Sequence, residues 1–102
     1  MNVLPAWQQS YHGEGILVGV VDDGVFKNHP DLATRVNHGS SHNFVSVQGS
    51  AWPWSPWSDP NDPTPSSESE SHGTRCAGII AAQENNNICG VGVAYGAEIA
   101  GQ

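Results

Sequence analysis

Residues 15–21 read Gly-Ile-Leu-Val-Gly-Val-Val, without a polar side chain, and Asp22, Asp23 and Gly24 follow at once. An uninterrupted β-branched run of this length suits a strand covered on both faces, which in an α/β chain means a parallel sheet. The acidic pair and the glycine then turn the chain at the strand's carboxyl end, where open α/β sheets gather their working groups. The position of the glycines excludes one tempting reading. A dinucleotide-binding Gly-x-Gly-x-x-Gly follows its strand and opens a helix, whereas Gly13, Gly15 and Gly19 precede and enter the strand, and the third is one place late.

The second organising block is His72-Gly73-Thr74-Arg75-Cys76-Ala77-Gly78. From His72 to about Gln83, small and apolar residues recur at helical spacing through Ala77, Ile80 and Ala81, which predicts a helix packed closely in the interior. Around these blocks, residues 3–11 suit a short helix or turn whose Trp7 packs, and His29-Pro30-Asp31-Leu32 makes a turn. Residues 35–44 suit another short strand, residues 84–90 a polar Asn-rich loop, and residues 91–94 and 97–101 strands on either side of Tyr95-Gly96. Residues 46–71 hold five of the seven prolines together with Trp52, Trp54 and Trp57 and a Ser/Glu run. That composition reads as an exposed loop inserted between the two blocks.

Composition bounds the partners. Ten acidic residues against three basic ones give a net charge of −7, which disfavours nucleic acid and anionic membrane and favours cationic ligands such as calcium or basic peptides. No window approaches the roughly 18 apolar residues of a membrane span, so no membrane contact is expected of this stretch. At 102 residues and 10.8 kDa the chain is too short to close a large α/β core. Cys76 and Cys89 stand thirteen apart, without the doublet spacing of a zinc site. His12, His29, His38 and His42, taken with Asp22 and Asp31, match no standard ligand motif.

The chemistry lies in the order of the blocks. An Asp at the lip of a buried parallel strand, facing a His at a helix N-terminus, can accept the imidazole Nδ1–H, fix the tautomer and leave Nε2 to take a proton from a serine. A lone Asp in such a place is more often a turn former. No Gly-x-Ser-x-Gly or Gly-Thr-Ser occurs in the chain to supply the nucleophile. Two further readings use the same residues: a non-catalytic binding module or pseudoenzyme with the Trp/Pro loop as interaction surface, and a metal-dependent hydrolase built on Asp22, Asp23 and His29.

Taken together, Gly-Ile-Leu-Val-Gly-Val-Val-Asp-Asp-Gly-Val-Phe-Lys-Asn-His-Pro-Asp-Leu, His-Gly-Thr-Arg-Cys-Ala-Gly and Asn-Asn-Asn-Ile-Cys-Gly-Val-Gly-Val-Ala-Tyr closely resemble the subtilisin-like serine proteases (peptidase S8). Asp-Asp-Gly, and Arg-Cys after His-Gly-Thr, resemble the kexin/furin branch, the proprotein convertases. The resemblance implies an α/β fold: residues 1–102 as the N-terminal part of a three-layer αβα catalytic domain with a parallel sheet, ending before the catalytic serine. It implies a calcium-dependent endopeptidase of the secretory pathway that cleaves peptide or protein substrates after basic residues. In that reading Asp22 and His72 are catalytic, and Asp23 lines the site for a basic residue just before the scissile one. Calcium would be held by Asp31, the carbonyl of Gln83, the side chain of Asn86 and the carbonyls of Ile88 and Gly90. The resemblance pairs Cys89 with a cysteine beyond residue 102 and leaves Cys76 unpaired. Two departures stand out: the segment between the blocks is about ten residues longer than usual in the family, and Ser69, flanked by Glu68 and Glu70, replaces the acidic residue three before the histidine.

Overall fold

The computed structural model describes residues 1–44, 59–67, 69–88 and 90–102. A short helix α1 (Leu4–Trp7), with Pro5 in its first turn, leads to strand β1 (Leu17–Val20). After a 3₁₀ turn (His38–Ser40) come helix α2 (His72–Ala81) and strand β2 (Glu98–Gly101). The two strands pair in parallel, Leu17 opposite Glu98 and Val20 opposite Gly101. Parallel pairing requires a crossover, and α2 lies within it, as the β-branched run followed by a helix predicts.

Three expected strands come out differently. Residues 35–44 contribute a single parallel bridge, Val36 to Ile99, on the other edge of β2, before Asn37 caps the 3₁₀ turn by accepting the Ser40 N–H. Residues 91–94 form no strand. The N–H groups of Val93 and Ala94 instead donate to the carbonyls of Ile79 and Ile80, satisfying acceptors that the end of a helix leaves unpaired. The run at residues 15–21 is a strand only over its middle, and among the described residues it is covered on one face. Val18 and Val20 turn toward the core, whereas Leu17, on the alternate face, is 48% exposed and Val21 is 84% exposed. Among the described residues α2 packs on both strands and the 3₁₀ turn packs on β2, where Ile99 and Ala100, on opposite faces, are both buried.

The core is correspondingly small: Val20, Val25, Leu32, Ala77, Ala81 and Ile99, with Val18, Val36, Cys76 and Ile80 packed against it. Gly73, Ala77 and Ala81 are the buried residues of α2. Their spacing of four puts them in one row, and their size lets the helix lie close to the strands. Trp7 packs as expected, its indole N–H donating to the Val93 carbonyl at 2.8 Å and its ring meeting Tyr95 edge-on. On its other side Tyr95 stacks with His12.

The turn after α2 is closed by glycine. A Cβ on Gly92 would lie 2.4 Å from the Ala82 nitrogen and 2.5 Å from the Ala81 nitrogen, backbone atoms that cannot yield. By contrast, a Cβ on Gly19 meets nothing within 4 Å among the described residues. Gly92→Ala in the full-length protein is therefore expected to cost about 1–3 kcal/mol of stability and to lower the thermal midpoint, while Gly19→Ala leaves it nearly unchanged. Calorimetry on the two variants checks the contrast, and equal midpoints would show that this turn bears no packing constraint.

Candidate active site

Strand pairing delivers Asp22 to its place. The Val20 carbonyl accepts the Gln102 N–H at 2.9 Å and the Asp22 N–H donates to the Gln102 carbonyl at 3.1 Å, which extends the ladder one rung past β1. Gly24 then turns with φ 114°, a left-handed value that favours glycine, and its space is closed by the Pro63 carbonyl oxygen, 2.8 Å from where a Cβ would stand. The chain returns toward α2, and the Phe26 N–H donates to the Thr74 hydroxyl at 3.0 Å.

The N-terminus of α2 docks against this turn. His72 Nδ1 and Asp22 Oδ2 are 2.7 Å apart. An ionised carboxylate only accepts, so Nδ1 carries the proton and Nε2 is left as a base. The imidazole is 74% exposed and the Asp22 side chain 23% exposed, so the pair sits at the surface with its accepting nitrogen reachable. The Asp23 N–H, donating to Asp22 Oδ1 at 2.8 Å, is the main reason the Asp22 carboxyl is held below the usual carboxylate range. The His72 hydrogen bond and charge add to that effect, and partial burial opposes it. Asp22 is therefore ionised at neutral pH, and the pairing it contributes is lost only as pH falls through its lowered pKa.

Asp23 faces the helix. Its Oδ2 accepts the His72 N–H at 3.0 Å and its Oδ1 accepts the Gly73 N–H at 2.7 Å. Gly73 is a site residue that the reading of the sequence missed. A Cβ there would stand 2.4 Å from the Gly24 carbonyl oxygen and 2.9 Å from Asp22 Cβ, so no other residue lets the two blocks approach this closely. Its signal was a glycine directly after the His of a small-residue helix. Thr74, whose hydroxyl ties α2 to Phe26, was likewise unread.

Beside the acidic turn opens a cleft of about 410 Å³, whose walls include Asp22, Asp23, Phe44, Pro63, Glu70 and Gln102. The loop's return leg is fixed there more firmly than an exposed loop would be. Pro63 is buried and its carbonyl accepts the Val25 N–H at 2.7 Å, and Lys27 pairs with Asp62. Burial pushes the Asp62 carboxyl up, but Lys27 and Thr64 outweigh it and leave the group below its usual range. Ser69 is exposed, and the carboxylate of Glu70 accepts the Ser66 N–H. The three loop tryptophans and Glu68 lie outside the described residues.

The expected calcium ligands gather in part. Asn86 Nδ2 donates to Asp31 Oδ1 at 2.6 Å, the Gln83 N–H donates to the Asp31 carbonyl at 2.9 Å, and the Ile88 N–H donates to Asn86 Oδ1 at 3.0 Å. Asn85 and Asn87 take left-handed φ values of 56° and 61°, and Gly90 follows at 107°. Asp31 is 8% exposed, and among the described residues no basic group pairs with it. A buried carboxylate beside amide and carbonyl oxygens suits a hard cation, and the Asn86 NH₂ supplies only a dipole where a cation would supply full charge.

Other candidates separate. His29 stays in the Asp31 turn, its Nδ1 accepting the Asp31 N–H, and His38 pairs with Asp59. Among the described residues the one cluster of possible metal ligands is Asp22, His72 and Cys76, so the set of Asp22, Asp23 and His29 does not assemble. Cys76 Sγ lies 3.8 Å from His72 Nδ1 and is a free thiol, while Cys89 falls outside the described residues.

Comparison with known proteins gives the family. Residues 13–102 match the subtilase family (peptidase S8). Neuroendocrine convertase 2 of Bos taurus is 46% identical over 106 residues, covering 99% of this chain and 14% of that protein. Human furin is 48% identical over 104 residues, covering 99% of this chain and 12% of that protein. The crystal structure of the Aeromonas sobria serine protease superposes with a TM-score of 0.67 at 40% identity, over 89% of this chain and 13% of that one. This chain thus spans about one seventh of the length of such relatives. With the family matched over nearly all its residues and convertases and furin as relatives, the chain belongs to the subtilase family, in its kexin/furin branch.

Proposed function

We propose that this chain supplies the acid and the base of a calcium-dependent serine endopeptidase that cuts peptide or protein substrates after basic residues and works in the secretory pathway. The observation that carries the reading is the 2.7 Å contact between Asp22 and His72. In the complete protein Nε2 of His72 takes the proton of a serine supplied from outside these residues, the serine attacks the scissile carbonyl, and His72 then returns the proton to the leaving amine. Asp22 holds the tautomer and stabilises the imidazolium. Asp23 and Glu70 line the cleft beside this pair, and their negative charge favours a basic residue of the substrate there. The binding-module and metal-hydrolase readings gain no comparable support, since the dyad is intact and His29 stands apart from it.

Calcium enters this reading as a brace. Asp31, Asn86 and the carbonyls of Gln83, Ile88 and Gly90 would hold it, and the ion would neutralise the buried Asp31 carboxylate and fix the loop that follows α2. Its role is structural, so no step of peptide cleavage passes through it.

Three outcomes test these assignments in the full-length protein. Asp22→Ala and His72→Ala should each lower kcat by about 10⁴-fold, with the double variant little worse than the poorer single one, because triad members act as a unit. Fully additive losses in steady-state kinetics would remove the assignment. Carboxyl-carbon NMR should find Asp22 titrating below 3.8. A value at or above that would mean that the Asp23 N–H and His72 do not hold it. Chelation of calcium should lower the thermal midpoint, since a ligand present at about 100 times its Kd adds about 2.7 kcal/mol to the folded state. Asp31→Ala should abolish most of that sensitivity, and an undiminished chelator effect in the variant would put the ion elsewhere.

A further inference from the structure

Helix α2 lacks a cap of its own. Ser71 occupies the N-cap position, but its side chain makes no capping hydrogen bond. The first N–H groups of a helix need acceptors, and a residue at the cap normally provides one. Here both come from a different part of the chain, since the Asp23 carboxylate takes the N–H of His72 on one oxygen and that of Gly73 on the other. A carboxylate at a helix N-terminus also meets the positive end of the helix dipole, and bonds to an ionised acceptor are among the stronger hydrogen bonds. At the same time the backbone N–H of Asp23 holds Asp22 Oδ1, leaving Oδ2 for the imidazole.

From this geometry we infer that Asp23 is a positioning residue, which fixes the distance and angle between Asp22 and His72 by clamping the backbone of the histidine to the turn that carries the aspartate. The inference rests on the reading of His72 as general base, and it is separate from any contact between Asp23 and a substrate. One residue thereby sets both partners of the dyad, the carboxylate through its main chain and the imidazole through its side chain. Without the clamp, α2 is still held by Thr74 and by its buried row, but its first turn loses both acceptors. Asn at position 23 keeps one acceptor oxygen and turns an NH₂ toward the other N–H, so it restores half of the cap, whereas Ala restores none.

The test compares Asp23→Ala and Asp23→Asn in the full-length protein, using two peptides that carry Lys or Ala at the second residue before the cleaved bond. On the Ala peptide, where no charge partner is at stake, kcat is expected to fall about 10- to 100-fold in Asp23→Ala, with KM changed by no more than about twofold, and to recover in part in Asp23→Asn. The downfield proton resonance of His72 Nδ1–H should broaden or move in the same order. An unchanged kcat on the Ala peptide in a folded Asp23→Ala protein, or a loss confined to the Lys peptide, would overturn the proposal and leave Asp23 as a substrate contact alone. If Asp23→Ala melts below the assay temperature, Asp23→Asn and its Nδ1–H resonance decide by the same criteria, because that variant keeps part of the cap. His72→Ala assayed in parallel separates the two claims. Retained activity there would refute the general base itself, while lost activity beside an unaffected Asp23→Ala would refute only the clamp.

Discussion

The arrangement depends on how an acidic turn meets a helix end. Asp22, Asp23 and Gly24 leave β1 in a conformation that presents two carboxylates and one bare backbone carbonyl, and α2 arrives with two unpaired N–H groups, an imidazole and a glycine that lets it come within contact. Each group answers a need of the other side. The carboxylate that caps the helix gains two donors, and the one that holds the imidazole gains a main-chain donor as well. Because the donors are backbone groups at the sheet edge and in the first turn of the helix, the dyad is oriented by secondary structure rather than by long flexible side chains.

The parts of the fold that were legible in the sequence were those governed by local pattern. The β-branched run, the small-residue row of α2 and the final strand each carry a pattern that a single segment displays, and each formed, the run over its middle only. The expected strand at residues 91–94 failed for a nonlocal reason, because Val93 and Ala94 spend their N–H groups on carbonyls at the end of α2. The exposure of Leu17 and Val21 was not legible for a similar cause: an apolar run states what a strand can bury, and which residues lie against it is not written in the run itself.

At the site itself, residue types and order were enough to single out Asp22 and His72, since a carboxylate at a strand end and an imidazole at a helix start are chemically marked. The capping by Asp23 was hidden. Its partners are main-chain N–H groups, which every residue possesses, so no side-chain pattern announces them. Gly73 was visible only as a glycine, and the reason for it, a carbonyl oxygen 2.4 Å from the missing Cβ, exists only once the two blocks have met.

The clamped base of the loop between the two blocks has a further consequence. The Val25 N–H bound to the Pro63 carbonyl, Lys27 paired with Asp62, and His38 paired with Asp59 all fasten its return leg to the same platform as the acidic turn. The Asn43 N–H also donates to the Pro60 carbonyl at 2.7 Å, so the two described ends of the loop are held against each other by bonds of their own. The turn that carries Asp22 and Asp23 is therefore braced from the base of the loop as well as from α2, and the dyad takes its geometry from both sides.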